Sequence, residues 1–85
     1  MAYILRVDGG LEQLDRTDLK ALQDAVGGLI EIIGTNDGRL LVLDELGKLK
    51  NKPINEAATA LARGVIADTD YIVGDAVVAK DTEIY

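Results

Sequence analysis

The sequence predicts an α+β domain, a two-layer sandwich in which two short helices pack on a small, mainly antiparallel sheet. Runs of branched aliphatic residues separated by turn residues indicate several short strands. Two further segments begin with capping residues, as expected of short helices. One has apolar residues at a helical spacing, and the other is a run of small residues. The 85 residues suffice for one core, so we expect residues 1–85 to form a single domain.

The N-terminal third of the chain predicts two strands and a helix. Aliphatic residues favour a strand at Tyr3–Val7, and an alternating pattern favours a weaker one at Leu11–Asp15. Apolar residues then recur at spacings of three and four, which predicts a helix over 17–26. Thr17 is expected to cap its start, and Gly27 is expected to end it in the left-handed conformation.

A hairpin formed by Leu29–Thr35 and Arg39–Asp44 is the strongest local pattern in the chain. The turn residues between the two runs include an Asp-Gly pair, which is typical of tight hairpins. The first run is apolar on both faces, so we expect it near the middle of the sheet. Glu31, on this run, is either a functional carboxylate or a partner of Arg39 across the hairpin.

The C-terminal half predicts a second helix and a last strand. Asn55 follows the chain break at Pro53 and is expected to cap a short helix over 57–63. The run Tyr71–Lys80 predicts the final strand. Gly74 interrupts it, which favours a bulge or a close backbone approach.

Composition argues against several classes of function. The net charge of −6 argues against broad binding to nucleic acid or to an anionic membrane. The chain contains no Cys and no His, so it lacks the usual zinc ligands and the usual general base near neutral pH. Without a phosphate-binding loop either, we expect no enzyme, no metal and no cofactor. With no signal peptide and no membrane-spanning segment, the expected location is cytoplasmic.

Two adjacent carboxylates, Asp44 and Glu45, leave open a site that uses carboxylates alone. Neighbours in a strand point to opposite faces, so these two would act together only through the geometry of the turn that follows. Solvated turn residues are the more ordinary interpretation. Both residues are kept as candidates for ligand binding.

Positive charge is concentrated in one segment of this acidic chain, at Lys48, Lys50 and Lys52. Asn55 follows where a helix is expected to begin, and Thr59, one turn later, offers a hydroxyl. The start of a helix provides free N–H donors and a positive dipole end, which suit an anion. The segment therefore predicts a pocket for a phosphorylated small molecule. The alternative is that the lysines protect an exposed sheet edge and Asn55 only caps its helix.

Four motifs, in order, lie at Val26–Glu31, Leu43–Leu49, Asn55–Thr59 and Asp70–Gly74. Together they resemble a domain family of unknown function found in phages, plasmids and other mobile elements, notably of Gram-positive bacteria. The resemblance implies a mobile-element origin and a bacterial-cytoplasm setting. It directs attention to seven positions, which are Gln23, Glu31, Asp44, Glu45, Lys48, Asn55 and Thr59.

We therefore expect a non-enzymatic domain that binds a small anionic, nucleotide-like ligand and associates with copies of itself. The alternative is a protein–protein interaction module or an inhibitor of a host protein, which an acidic surface also suits. An enzyme that uses carboxylates alone ranks last.

Overall fold

The computed structural model describes residues 1–84, which form five strands and two helices. The strands are β1 (Tyr3–Leu5), β2 (Leu11–Gln13), β3 (Ile30–Gly34), β4 (Arg39–Asp44) and β5 (Ala76–Lys80). The helices are α1 (Leu19–Val26) and α2 (Glu56–Ala62). Within the described residues, neither helix has the length and apolar character needed to cross a membrane.

The strands form one sheet in the order β2-β1-β5-β4-β3, and every neighbouring pair is antiparallel. This confirms the α+β class, the antiparallel sheet and the two short helices. The expectation that the first hairpin strand lies near the middle of the sheet is wrong, because β3 is an edge strand. Its two faces are both apolar for another reason: Ile30 packs towards α1 and Ile33 towards the α2 side.

The two helices lie on opposite faces of the sheet, so the sheet is the middle of three layers. Successive residues of β5 show this arrangement. Val77 belongs to the cluster formed with Leu22 of α1, whereas Val78 belongs to the cluster formed with Ala58 of α2. The layering therefore differs from the predicted two-layer sandwich. The reason is that β4 and β5 are apolar on both faces, and each face needs a cover.

The boundaries of α1 are set by a different cap from the predicted one. Asp18 is the N-cap, and its carboxylate accepts a hydrogen bond from the N–H of Ala21 at 2.8 Å. The Thr17 hydroxyl instead donates to the backbone carbonyl of Glu83. At the other end, Gly27 has φ +85° and closes the helix as predicted.

The second helix and the last strand follow the prediction in part. Asn55 caps α2, with its side-chain oxygen accepting from the N–H of Ala58 at 3.0 Å. The last strand is shorter than predicted, because it begins only at Ala76. Before it, Val73 forms an isolated bridge with Ile54, and the left-handed Gly74 separates this bridge from β5.

Candidate functional site

The three lysines do not converge on the start of α2. Lys50 and Lys52 instead reach the C-terminal end of α1, where Lys50 Nζ donates to the carbonyl of Gly27 at 3.1 Å and Lys52 Nζ to that of Val26 at 2.5 Å. The last carbonyls of a helix lack partners within it, and a cation there also complements the helix dipole. These two lysines therefore cap α1, while Lys48 points elsewhere.

Asp44, Lys50 and Lys52 form a compact charged group, named here the Asp44 cluster. Oδ2 of Asp44 lies 2.8 Å from Lys50 Nζ and 2.7 Å from Lys52 Nζ, and the Asp44 side chain is 1% exposed. The N–H of Leu46 donates to Oδ1 at 2.9 Å. Burial acts to raise the pKa of this carboxyl, but the two ammonium groups outweigh it and hold the pKa at about 2. Asp44 is thus ionised and committed to the fold.

Glycines from two of the four sequence motifs lie directly against the Asp44 cluster. A Cβ atom added at Gly28 would stand 2.5 Å from Lys50 Nζ and 2.9 Å from Asp44 Oδ1. One added at Gly74 would stand 2.8 Å from Cδ of Lys52. Either contact would push a lysine out of place. Several motif residues therefore meet in one location, where they shape the fold.

Asn55 and Thr59 are also held within the structure. The fully buried Asn55 amide donates to the carbonyls of Leu5 and Gly74, both at 2.9 Å. The Thr59 hydroxyl donates to the Asn55 carbonyl and accepts from the N–H of Ile72, each at 2.8 Å. Since these side chains already have partners, the geometry gives no support to an anion pocket at the start of α2.

A cavity of about 230 Å³ lies on the α2 side of the sheet, next to β3. We call it the β3 pocket. Its apolar lining consists of Ile33, Leu43, Ile66, Ile72 and Val73. Its polar lining consists of Glu31, Glu45, Lys48, Asp70 and Tyr71, with Asp44 also at the boundary. Four of the seven positions indicated by the sequence resemblance therefore meet here: Glu31, Asp44, Glu45 and Lys48.

Lys48 is the cation of the β3 pocket, and it is engaged with two neighbours. Its ammonium group forms an ion pair with Asp70 and lies 4.6 Å from the centre of the Tyr71 ring. The ion pair raises the pKa of Lys48 and, together with the N–H of Tyr71, lowers the pKa of Asp70. The positive charge in the pocket is therefore already neutralised.

Glu31 and Glu45 are exposed and, unlike Lys48 and Asp70, have no direct partner within residues 1–84. Within residues 1–84 neither carboxylate has a hydrogen bond or an ion pair, and Glu31 acts on Lys48 only at longer range. The expected pair between Glu31 and Arg39 is absent, since Arg39 binds the turn residue Asp37 at 2.6 Å. The pocket thus presents two available negative charges beside an apolar lining.

Sequence reasoning did not include Asp70 and Tyr71, two polar residues of the pocket, among the candidate site residues. They follow Lys48 by more than twenty residues and belong to no helix or strand, so no periodic pattern connects them with it. Their membership in the fourth motif is the signal that points to them.

Comparison with known proteins gives one family. The model of a family described as a domain of unknown function (DUF3846) matches residues 1–84, which confirms the resemblance to a family without an assigned activity. No curated protein and no solved structure matches the chain.

Proposed function

We propose that this chain, which belongs to the DUF3846 family, is a non-enzymatic protein-interaction module whose β3 pocket receives a cationic side chain of a partner. One observation carries the proposal. The carboxylates of Glu31 and Glu45, which have no direct partner within residues 1–84, stand beside an apolar cavity of about 230 Å³.

The chemistry of the pocket matches a lysine or an arginine. These side chains have an apolar stem and a charged head, and the pocket offers an apolar lining next to carboxylates. An arginine head also forms paired hydrogen bonds with a carboxylate. At about 230 Å³, the cavity is smaller than the roughly 300–1,000 Å³ of ordinary ligand pockets. It therefore suits one side chain better than a whole nucleotide.

The proposal of a non-enzymatic role rests on the residue types available. The sequence has neither Cys nor His, which removes the thiol nucleophile and the usual general base near neutral pH. Among residues 1–84 no group of three or more potential ligands is placed to hold a metal ion. As part of the same proposal, the domain acts in the cytoplasm of a bacterium that carries a phage or another mobile element, which the sequence resemblance supports.

A small anionic ligand is the second candidate, because Lys48 and Tyr71 offer an ammonium group and a ring 4.6 Å apart. In this alternative the ammonium would contact a phosphate and the ring would stack on a base. The phosphate would have to displace Asp70 from Lys48. We rank this candidate second because Glu31 and Glu45 would repel an anion.

Titration of the isotope-labelled domain with arginine amide, followed by NMR, tests the proposal. We expect amide shifts around the β3 pocket and their loss in the Glu31→Gln/Glu45→Gln double variant. The matched control, Asp15→Asn/Asp24→Asn, changes the net charge equally at exposed sites away from the pocket. Equal binding by both variants would refute the proposal. Binding of ATP instead, abolished by Lys48→Ala, would establish the second candidate.

A further inference from the structure

The outer edge of β3 is free among the described residues, because β4 is its one neighbour in the sheet. The pairing with β4 fixes which backbone groups face outward. The Leu29 carbonyl accepts from the N–H of Glu45, and the Thr35 N–H donates to the carbonyl of Arg39, both at 2.8 Å. Since the direction alternates along a strand, the N–H and C=O groups of Ile30, Ile32 and Gly34 point outward.

Apart from the exposed Glu31, this edge lacks the features that normally prevent strand addition. The opposite edge, β2, has only three residues, and all of them are exposed. β3 has five residues, four of them Ile or Gly, and contains neither Lys nor Pro. Short length, lysine and proline are the usual protections of an edge, so β3 is the edge open to pairing.

We infer that an extended segment of a basic partner protein adds to the sheet alongside β3, with basic and apolar side chains in alternation. This inference rests on the proposed function and extends it to the mode of binding. An added strand alternates its side chains between the two faces of the sheet. On one face they lie beside Glu31 and the β3 pocket, and on the other beside Ile32, which is 44% exposed.

Charge complementarity selects a basic partner over a second copy of this chain. Each copy carries a net charge of −6, so self-association brings like charges together. Antiparallel pairing of two β3 strands centred on Ile32 would also place both Glu31 side chains on the same face, on either side of the new junction. A lysine or arginine opposite Glu31 gains a cross-strand ion pair instead.

Backbone-methylated peptides test the inference with the intact domain. The probe is a fluorescent peptide of about eight residues, an ordinary strand length, in which arginine alternates with valine. In one further peptide the backbone nitrogens of the arginines carry methyl groups. In another the backbone nitrogens of the valines carry them. Only every second N–H of an added strand faces β3. We therefore expect one methylated peptide to bind about tenfold or more weakly, through loss of several backbone hydrogen bonds, and the other to bind like the parent.

A domain variant gives a second, independent measurement. Gly34→Pro removes an outward N–H that has no partner within residues 1–84, and a Cβ at this position meets nothing within 4 Å. We expect Gly34→Pro to fold, as judged by circular dichroism, and to bind the peptide more weakly. Gly34→Ala should bind the peptide as the natural domain does.

The outcomes separate this inference from the proposed function. Arginine-amide binding together with equal affinity for both methylated peptides would overturn strand addition and leave the pocket intact. If arginine amide also fails to bind, both the strand addition and the proposed function of the β3 pocket are overturned. A concentration-dependent dimer that Gly34→Pro abolishes, without peptide binding, would assign the edge to a second copy and overturn the basic partner.

Discussion

The Asp44 cluster and the β3 pocket contain the same kinds of residues in opposite states. Asp44 and Glu45 are adjacent in sequence, yet Asp44 is buried between two lysines and Glu45 is exposed and unpaired within residues 1–84. The side chain of Asp44 turns towards α1, whereas Glu45 lines the cavity on the α2 side. The face of the sheet therefore decides whether a carboxylate stabilises the fold or is available to a partner.

The lysines show the same division. Lys50 and Lys52 cap α1 and hold Asp44, so their charge is used within the fold. Lys48 stands at the pocket, where its pair with Asp70 is exposed to solvent. A buried group of satisfied charges favours a structural role, and exposed charges without partners favour binding.

Replacing Asp44 by Ala is expected to give the largest loss of stability. It leaves two ammonium groups next to each other and next to an apolar core without their shared carboxylate. Removing one member of a buried ion pair costs about 3–5 kcal/mol. We expect about 3 kcal/mol in the free energy of unfolding, measured by urea denaturation, because both lysines retain some access to water.

The adjacent substitution Glu45→Ala is the matched control. An exposed side chain without direct partners should change the free energy of unfolding by no more than about 0.5 kcal/mol. Similar losses for the two variants would contradict the division between cluster and pocket.

Local patterns in the sequence predicted the parts of the fold that depend on neighbouring residues. The hairpin turn at Asn36–Gly38, the left-handed Gly27 and the Asn55 cap were all predicted, because each depends on a few successive residues. The placement of β3 at an edge was not. Aliphatic residues on both faces of a strand indicate apolar contacts on both faces, and they do not reveal how many strands lie beside it.

The site was predicted only in part for a similar reason. Sequence spacing placed the three lysines together but gave no information on where the long side chains point. Their destinations depend on Val26 and Gly27, which precede them by more than twenty residues, and on Asp70, which follows Lys48 by a similar distance. The three lysines were thus assigned to the start of α2, although Lys50 and Lys52 bind the C-terminal end of α1.

Acid provides the second test of the Asp44 cluster. The pKa of Asp44 is about 2 in the folded protein, against an ordinary value of 3.8. A lowered folded-state pKa adds stability that is complete above the ordinary value and is lost as the pH falls through the folded value. The shift corresponds to about 2 kcal/mol. We expect the difference in unfolding free energy between the natural protein and Asp44→Asn to shrink by this amount from about pH 6 to about pH 2. A difference that stays constant over this range would show that folding does not lower the pKa of Asp44.

Glycine substitutions give a smaller test of the same division. Gly28→Ala places a Cβ atom against Lys50 Nζ and Asp44 Oδ1, and we expect a loss of about 1–2 kcal/mol from this overpacking. A Cβ atom at Gly34, in the edge strand β3 itself, meets nothing within 4 Å among the described residues. Gly34→Ala should leave stability unchanged or raise it by about 0.4–1 kcal/mol through the unfolded state. Thermal unfolding of both variants measures the difference, and a loss at Gly34 as large as that at Gly28 would contradict it.

The smallest effect is expected for Lys48→Met, and its sign distinguishes the two candidate functions. The variant keeps the apolar stem of the side chain and removes the ammonium group that pairs with Asp70. Asp70 then joins Glu31 and Glu45 as a third available carboxylate in the pocket. Binding of arginine amide should tighten by about two- to fivefold, the range expected for an exposed charge pair. If the pocket instead holds a phosphorylated ligand, the same substitution weakens binding of ATP, so one titration series on one variant decides whether Lys48 competes with the partner or contacts it.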